Sequence, residues 1–157
     1  MKLTAKEDIE APIAFVDGFL TDFDNWERAA LRRGAEVERL DRLPKPAAGM
    51  EWKICFPYRA KQRDAQITLT KIEQERALSF LGIGRPVEAV LDVDMAEMGP
   101  RRTRVHVQID IKPRTLAARL FVQSLRLAKS KVTKRYAQHL SQLAADIEDR
   151  YRAQLKG

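Results

Sequence analysis

The chain has 157 residues, so we expect a single domain over residues 1–157 that can bury a core without disulfides. Its 45% hydrophobic and 32% charged residues exclude disordered, collagen-like and coiled-coil proteins, and one cysteine and two histidines argue against a disulfide or a Cys/His zinc site. The net charge of +7 arises in one segment, because residues 112–135 contain eight basic residues and no acidic residue, while the rest of the chain is nearly neutral.

The N-terminal part of the sequence predicts one strand and two short helices. Residues 2–10 alternate apolar and charged side chains, which indicates a half-exposed strand. A proline then marks the first turn of a helix over Ile13–Leu20, whose apolar residues fall on one side. A second helix is expected to begin at a cap on Thr21 or Asp22 and to end near Arg33, just before a glycine.

Six further strands follow, each with apolar residues on one face and polar residues on the other. This pattern is typical of an antiparallel sheet that is covered on one side only. Clusters of proline, glycine and charged residues at 43–49, 59–64 and 82–86 are expected to form loops or turns. The six strands are predicted at residues 35–42, 50–58, 65–73, 76–81, 87–96 and 103–111.

The apolar period lengthens after Pro113, which predicts a C-terminal helix. No glycine or proline lies between Arg114 and Lys156. An unbroken helix of these 43 residues would be about 64 Å long, which is more than a domain of this size can cover. We therefore expect a bend or break near Leu127–Val132, where two lysines and a serine cluster.

The predicted fold class is α+β: a curved, seven-stranded antiparallel sheet around a long C-terminal helix, with two short helices after the first strand. This order, the opening residues Ile9–Pro12 and the closing run Leu140–Arg152 resemble the SRPBCC superfamily of helix-grip proteins. That superfamily includes START domains and bacterial polyketide cyclase and lipid transport proteins. The resemblance covers nearly the whole chain and includes no catalytic motif. It implies a cavity between sheet and helix that holds a hydrophobic small molecule.

The sequence departs from the iron-containing members of the superfamily. Rieske oxygenases hold their iron with two histidines and a carboxylate. Here His106 lies on the polar face of its strand, and His139 is expected to face solvent from the C-terminal helix. We therefore expect no metal and no cofactor.

The candidate ligand-binding residues share the inward-facing positions of the strands or lie on the C-terminal helix. Packing into an ordinary core is the alternative role of each apolar member, and the two roles overlap because the expected cavity lies within the core. The set comprises Trp52, Ile54, Phe56, Tyr58, Ile67, Leu69, Phe80, Leu91, Val93, Val107, Ile109, Phe121 and Leu125, with the charged residues Glu7 and Arg39.

Three polar members of this set are candidates for chemistry. In the implied fold we expect the first two strands to lie side by side, which would let Glu7 and Arg39 meet as a partly buried ion pair. They would then bind a ligand carbonyl or act with Tyr58 as an acid/base set. The alternative is that all three lie at strand ends and reach water. Catalytic residues therefore stay unassigned.

Three functions follow as hypotheses. The favoured one is binding or transport of a lipid, isoprenoid or polyketide-like molecule, driven by burial of apolar ligand surface. The second is a cyclase/dehydratase-type enzyme that acts on a polyketide-like substrate. The third is a protein-interaction module that uses the sheet face and the basic helix to hold a protein partner.

The basic segment 112–135 is either a solvated helix face or a docking surface for an anionic membrane. Nucleic acid is disfavoured because only Phe121 and Tyr136 stand among or beside the basic residues as stacking platforms. No apolar run approaches the roughly 20 residues of a membrane span, and the N-terminus lacks a signal-peptide core. We therefore expect a cytoplasmic protein.

Overall fold

A computed structural model describes all residues, 1–157, and contains seven strands and four helices. The helices are α1 (Ile13–Leu20), α2 (Phe23–Arg32), α3 (Leu116–Leu127) and α4 (Lys129–Lys156). The strands are β1 (Lys2–Ile9), β2 (Glu36–Arg39), β3 (Glu51–Tyr58), β4 (Lys61–Glu73), β5 (Ala77–Gly84), β6 (Val87–Gly99) and β7 (Arg102–Pro113). The predicted α+β architecture, with its long C-terminal helix and two short helices after β1, is confirmed.

The strands form one antiparallel sheet in the order β1-β7-β6-β5-β4-β3-β2. β1 pairs with the last strand, so that Lys2 lies opposite Asp110. β2 pairs only with β3 at the other edge. The expectation that the first two strands lie side by side is therefore wrong. The helices α1 and α2, which connect β1 to β2, carry the chain across the sheet. The two strands that follow each other in the sequence therefore lie at opposite edges of the sheet.

Two predicted turns are shorter than expected. Most of residues 59–64 belongs to a long β3–β4 hairpin, whose turn is formed by Arg59 and Ala60 at φ of 51° and 61°. Gly82 and Gly84, which were predicted to end β5, are instead among its last three residues. A Cβ at Gly84 would lie 3.3 Å from the backbone oxygen of Asp64 on β4. Glycine here thus permits close approach of two strands rather than ending one.

The C-terminal helix breaks within the predicted range. Ala128, at φ −105° and ψ 28°, separates α3 from α4. The side chain of Thr115 caps α3 by accepting a hydrogen bond from the backbone N–H of Ala118 at 3.1 Å. The helix α4 packs along β1, and α3 lies at the end of β7. None of the helices has both the length and the apolar character that crossing a bilayer requires.

The closely packed core lies toward one end of the sheet, where α1 and the C-terminal half of α4 cover it. Its centre includes Ile9 and Ile147, which are 1% and 0% exposed. Burial then decreases along each inner strand. On β7, Val105 is buried, whereas Val107 and Ile109 on the same face are half-buried. The apolar inner face therefore continues beyond the part that the helices fill.

Candidate functional site

A cavity of about 640 Å³ lies between the sheet, α2 and α4, where the packed core ends. Of its 22 lining residues, 19 are hydrophobic. Ligand pockets in proteins commonly measure about 300–1,000 Å³ and are mostly apolar with few polar groups. The cavity therefore has the size and the lining of a site for an apolar small molecule.

Inward-facing residues of β5, β6 and β7 form the apolar wall of this cavity. Strand pairing places Leu91 between Phe80 on β5 and Ile109 on β7, and places Val93 beside Val107. Because side chains alternate between faces, every second residue along these strands contributes to one surface. The wall thus follows from the same alternation that identifies the strands in the sequence.

Aromatic side chains from α2 and β3 also line the cavity. The ring of Phe23 meets the rings of Trp52 and Phe80 edge-on, with centroids 5.2 and 6.2 Å apart. Trp26 on α2 lines the cavity and is 37% exposed. Both tryptophans of the chain therefore line the cavity, and their fluorescence would report on its contents.

Besides the tryptophans, three side chains bring polar atoms to the cavity: Glu27, Tyr136 and His139. The indole N–H of Trp52 donates a hydrogen bond of 2.7 Å to Oε1 of Glu27. The hydroxyl of Tyr136 donates to the backbone oxygen of Val107 at 2.9 Å, and burial raises its pKa. His139 on α4 lines the cavity from an exposed position. The hydrogen bond from Trp52 occupies one oxygen of Glu27, so its second oxygen and the imidazole of His139 are further polar groups of the cavity lining.

Sequence reasoning overlooked these three polar residues as site residues. Their signal was helical spacing. Phe23, Glu27 and Ala30 follow each other by four and three residues, which places them on one face of α2. Tyr136 and His139 begin a similar row on α4 that continues through two leucines. Glu27 and His139 share these rows with apolar residues, so helical spacing alone would have identified them as inward-facing.

The structure brings eight of the candidate ligand-binding residues together in the cavity lining. All eight are apolar or aromatic, and they come from five consecutive strands, β3 to β7. They are Trp52, Ile54, Ile67, Phe80, Leu91, Val93, Val107 and Ile109.

Five other candidates lie outside the lining. Leu69 is fully buried in the packed core. Phe56 and Tyr58 lie toward the tip of the β3–β4 hairpin, where Tyr58 is 49% exposed. Phe121 and Leu125 lie on α3, which contributes no residue to the lining.

Glu7 and Arg39 do not form the expected pair, because they lie on strands at opposite edges of the sheet. Neither they nor Tyr58 line the cavity. Glu7 is half-buried on β1, opposite Val105. The structure thus does not assemble the acid/base set that the sequence suggested.

Arg39 instead organises the loop that follows β2. Its guanidinium donates to both carboxylate oxygens of Asp41, at 2.6 and 2.9 Å, and to the backbone oxygen of Leu43. Asp41 also accepts from the backbone N–H groups of Leu43 and Glu51. These donors, with Arg39 first, hold the pKa of Asp41 well below its usual range.

The remaining groups with potential for chemistry are the thiol of Cys55 and the metal-ligating side chains. The thiol of Cys55 donates to Asp64, and this bond raises the thiol pKa, which disfavours a reactive thiolate. No group of three or more histidine, cysteine, aspartate or glutamate side chains is arranged to hold a metal ion.

Comparison of the sequence with protein-family models and with curated proteins finds no match. Solved structures do match. TTHA0849 from Thermus thermophilus is 16% identical, with a TM-score of 0.66 over 94% of this chain and 97% of its own. A START superfamily protein from Mycobacterium smegmatis is 12% identical, with a TM-score of 0.65 over 97% of both chains. The Zhui aromatase/cyclase from Streptomyces sp. R1128 is 13% identical, with a TM-score of 0.66 over 96% of this chain and 94% of its own.

These likenesses extend over almost the whole length of each protein, whereas the identities are low. They bear on architecture and leave the reaction or ligand of this chain open, since one fold hosts many functions. The chain has the helix-grip fold of START-like proteins.

Proposed function

We propose that residues 1–157 form one domain that binds or carries a hydrophobic small molecule in the cavity between the sheet and α4. The molecule would be of lipid, isoprenoid or polyketide-like chemistry, and the protein would act in the cytoplasm. The observation that supports this proposal is the cavity of about 640 Å³ with 19 hydrophobic residues among its 22 lining residues.

The physical chemistry of the lining suggests how such a ligand would be held. Burial of apolar ligand surface contributes about 25 cal/mol per Å², which gives affinity with little directional preference. Glu27 and His139 would supply direction, because each offers a polar atom at the cavity surface. A ligand with a long apolar body and one hydroxyl or carbonyl group fits this lining best.

A cyclase-type enzyme is the second candidate function. The observation in its favour is that a carboxylate, Glu27, and an imidazole, His139, line the same cavity. Groups of these two types commonly move protons in enzymes. The likeness of fold to an aromatase/cyclase is consistent with this candidate.

A pair of substitutions on one strand tests the binding site. Ala89 on β6 lines the cavity, and Ala96 on the same strand is exposed and lies outside the lining. We expect Ala89→Phe to weaken binding of anilinonaphthalene sulfonate at least tenfold, because the added ring occupies the cavity. Ala96→Phe should bind the dye as the wild type does. Energy transfer from Trp26 and Trp52 to the dye measures both affinities.

Equal dye binding by Ala89→Phe and the wild type would show that the cavity is not the binding site. Native mass spectrometry of the purified proteins, followed by solvent extraction, then identifies the class of a bound molecule. The enzyme gains support over the carrier if an extracted molecule is converted by the wild type. In that case Glu27→Gln should abolish conversion while the molecule stays bound.

A further inference from the structure

The helix α3 exposes an apolar stripe that the fold does not use. Leu116, Leu120 and Leu127 are 74%, 58% and 92% exposed. At about 100° per residue they fall within about 40° of one another around the helix axis. The buried residues Ala118 and Val122 lie on the opposite side of the helix. The leucines therefore point away from the protein.

Basic residues lie along one side of this stripe. Arg119 and Arg126 are exposed and lie beside the leucines on the same turns of α3. The segment 112–135 contains eight basic residues and no acidic residue. Apolar side chains flanked by arginine and lysine are the pattern of a helix that lies in the interface of an anionic membrane.

Two neighbouring segments extend the surface. The guanidinium of Arg59, at the tip of the β3–β4 hairpin, lies 4.7 Å from the ring centroid of Phe121 on α3. Arg114 binds the β5–β6 turn through the backbone oxygens of Gly84 and Pro86. These contacts place further basic and exposed apolar residues at the same end of the molecule. They are Tyr58, Lys61, Ile83 and Arg85.

Acidic residues are few at this end. Asp64 accepts a hydrogen bond from Cys55, and Glu88 lies opposite Lys112 in the β6–β7 register. The end as a whole is therefore both basic and apolar. If α3 were only a solvated helix face, its charges would be explained but its row of three exposed leucines would not. A surface that binds a polynucleotide needs the basic residues but not the leucines.

We propose that α3, with the tips of the β3–β4 hairpin and the β5–β6 turn, docks this protein on an anionic lipid bilayer. The leucines insert among the lipid chains, and the arginines and lysines contact the headgroups. On the inner strands, the cavity-lining residues nearest to these tips are Gly82, Ala89 and Ile109. Docking would thus bring this side of the cavity close to the bilayer. The inference stands on the surface of α3 and holds whether or not the cavity binds a ligand.

Vesicle sedimentation tests the proposal without any knowledge of the ligand. We expect the protein to bind phosphatidylglycerol vesicles at low salt and to bind phosphatidylcholine vesicles far less. Raising the salt to about 0.5 M should weaken binding, because exposed charges are then screened. Each basic residue near an anionic surface contributes about 1 kcal/mol, so Arg119→Gln/Arg126→Gln should weaken binding about 30-fold. Leu116→Ser/Leu120→Ser should weaken it at least tenfold.

Matched variants on other helices distinguish binding through this surface from general effects of net charge and exposed apolar residues. Arg28→Gln/Arg32→Gln on α2 gives the same net charge, and Leu31→Ser/Leu155→Ser removes two exposed leucines elsewhere. Both should bind vesicles as the wild type does. The proposal is overturned if the wild type ignores phosphatidylglycerol at low salt or if the matched variants lose binding equally. It is also overturned if a single-stranded oligonucleotide displaces the vesicles and binds the leucine variant unchanged.

Discussion

Asp17 on α1 is the one ionisable residue among the buried side chains. Its Oδ1 atom has no hydrogen-bond partner. Burial raises the pKa of this carboxyl, and the backbone N–H of Glu75 offsets part of the effect. The folded state therefore holds a proton that the unfolded state releases between the ordinary pKa, 3.8, and the raised value. The free energy of unfolding must fall as pH rises through that interval.

We expect Asp17→Asn to raise the free energy of unfolding at pH 7, because it removes a charge that burial disfavours. The gain should shrink as the pH falls toward 4, where the wild-type carboxyl is increasingly protonated. Urea unfolding of both proteins at several pH values in this range measures the difference. A gain that stays constant with pH, or a loss at pH 7, would contradict the assignment.

Arg39 shows how far sequence reasoning reaches at a single residue. Its alternation with Val37 placed it on the inner face, and it does lie over the ring of Trp52 at 5.7 Å. Its partner, however, is Asp41, two residues along the chain. Strand alternation predicts a face but cannot predict which of several carboxylates a long side chain will reach.

Among the elements, the β3–β4 hairpin turn contains residues that do not suit its geometry. Arg59 and Ala60 both have positive φ, a conformation that costs a residue with a Cβ about 1–2 kcal/mol. The sequence offers no Asn-Gly or Asp-Gly pair there to mark the turn, and its polar composition predicts a turn over the wider range 59–64.

Glycine at position 60 should relieve this strain. We expect Ala60→Gly to raise the free energy of unfolding by about 1 kcal/mol. The control is Ala96→Gly within β6, where glycine should instead lower it by about 0.5–1 kcal/mol. Guanidinium unfolding curves of the two variants compare the effects. The same sign of change in both would show that the turn is not strained.

At the scale of the whole molecule, two isoleucines distinguish the packed core from the cavity wall. Ile147 on α4 is fully buried, whereas Ile109 on β7 is half-buried and lines the cavity. We expect Ile147→Ala to lower the free energy of unfolding by about 2–5 kcal/mol. Ile109→Ala should lower it by about 1 kcal/mol or less, because its side chain is already partly unpacked. Urea unfolding compares them, and similar losses would mean that the wall is packed.

The same contrast explains why the fold could be predicted better than the site. Ile67 and Leu69 differ by two positions on β4 and share one face, so the sequence treats them alike. Leu69 is fully buried under the helices, and Ile67 lines the cavity. Alternation identifies the strands and the inward face from local information. The boundary between core and cavity depends on where α4 covers the sheet. A local sequence pattern does not carry that information.

The two edges of the sheet are protected in different ways. β2 is only four residues long and includes Glu36, Glu38 and Arg39, while the longer edge strand β1 lies against α4. Short, charged or covered edges hinder the pairing of strands from separate molecules, which is a common route to aggregation. A chain with an open apolar cavity would otherwise be vulnerable to that route. The sheet is thus poorly suited to assemble with copies of itself through its edges.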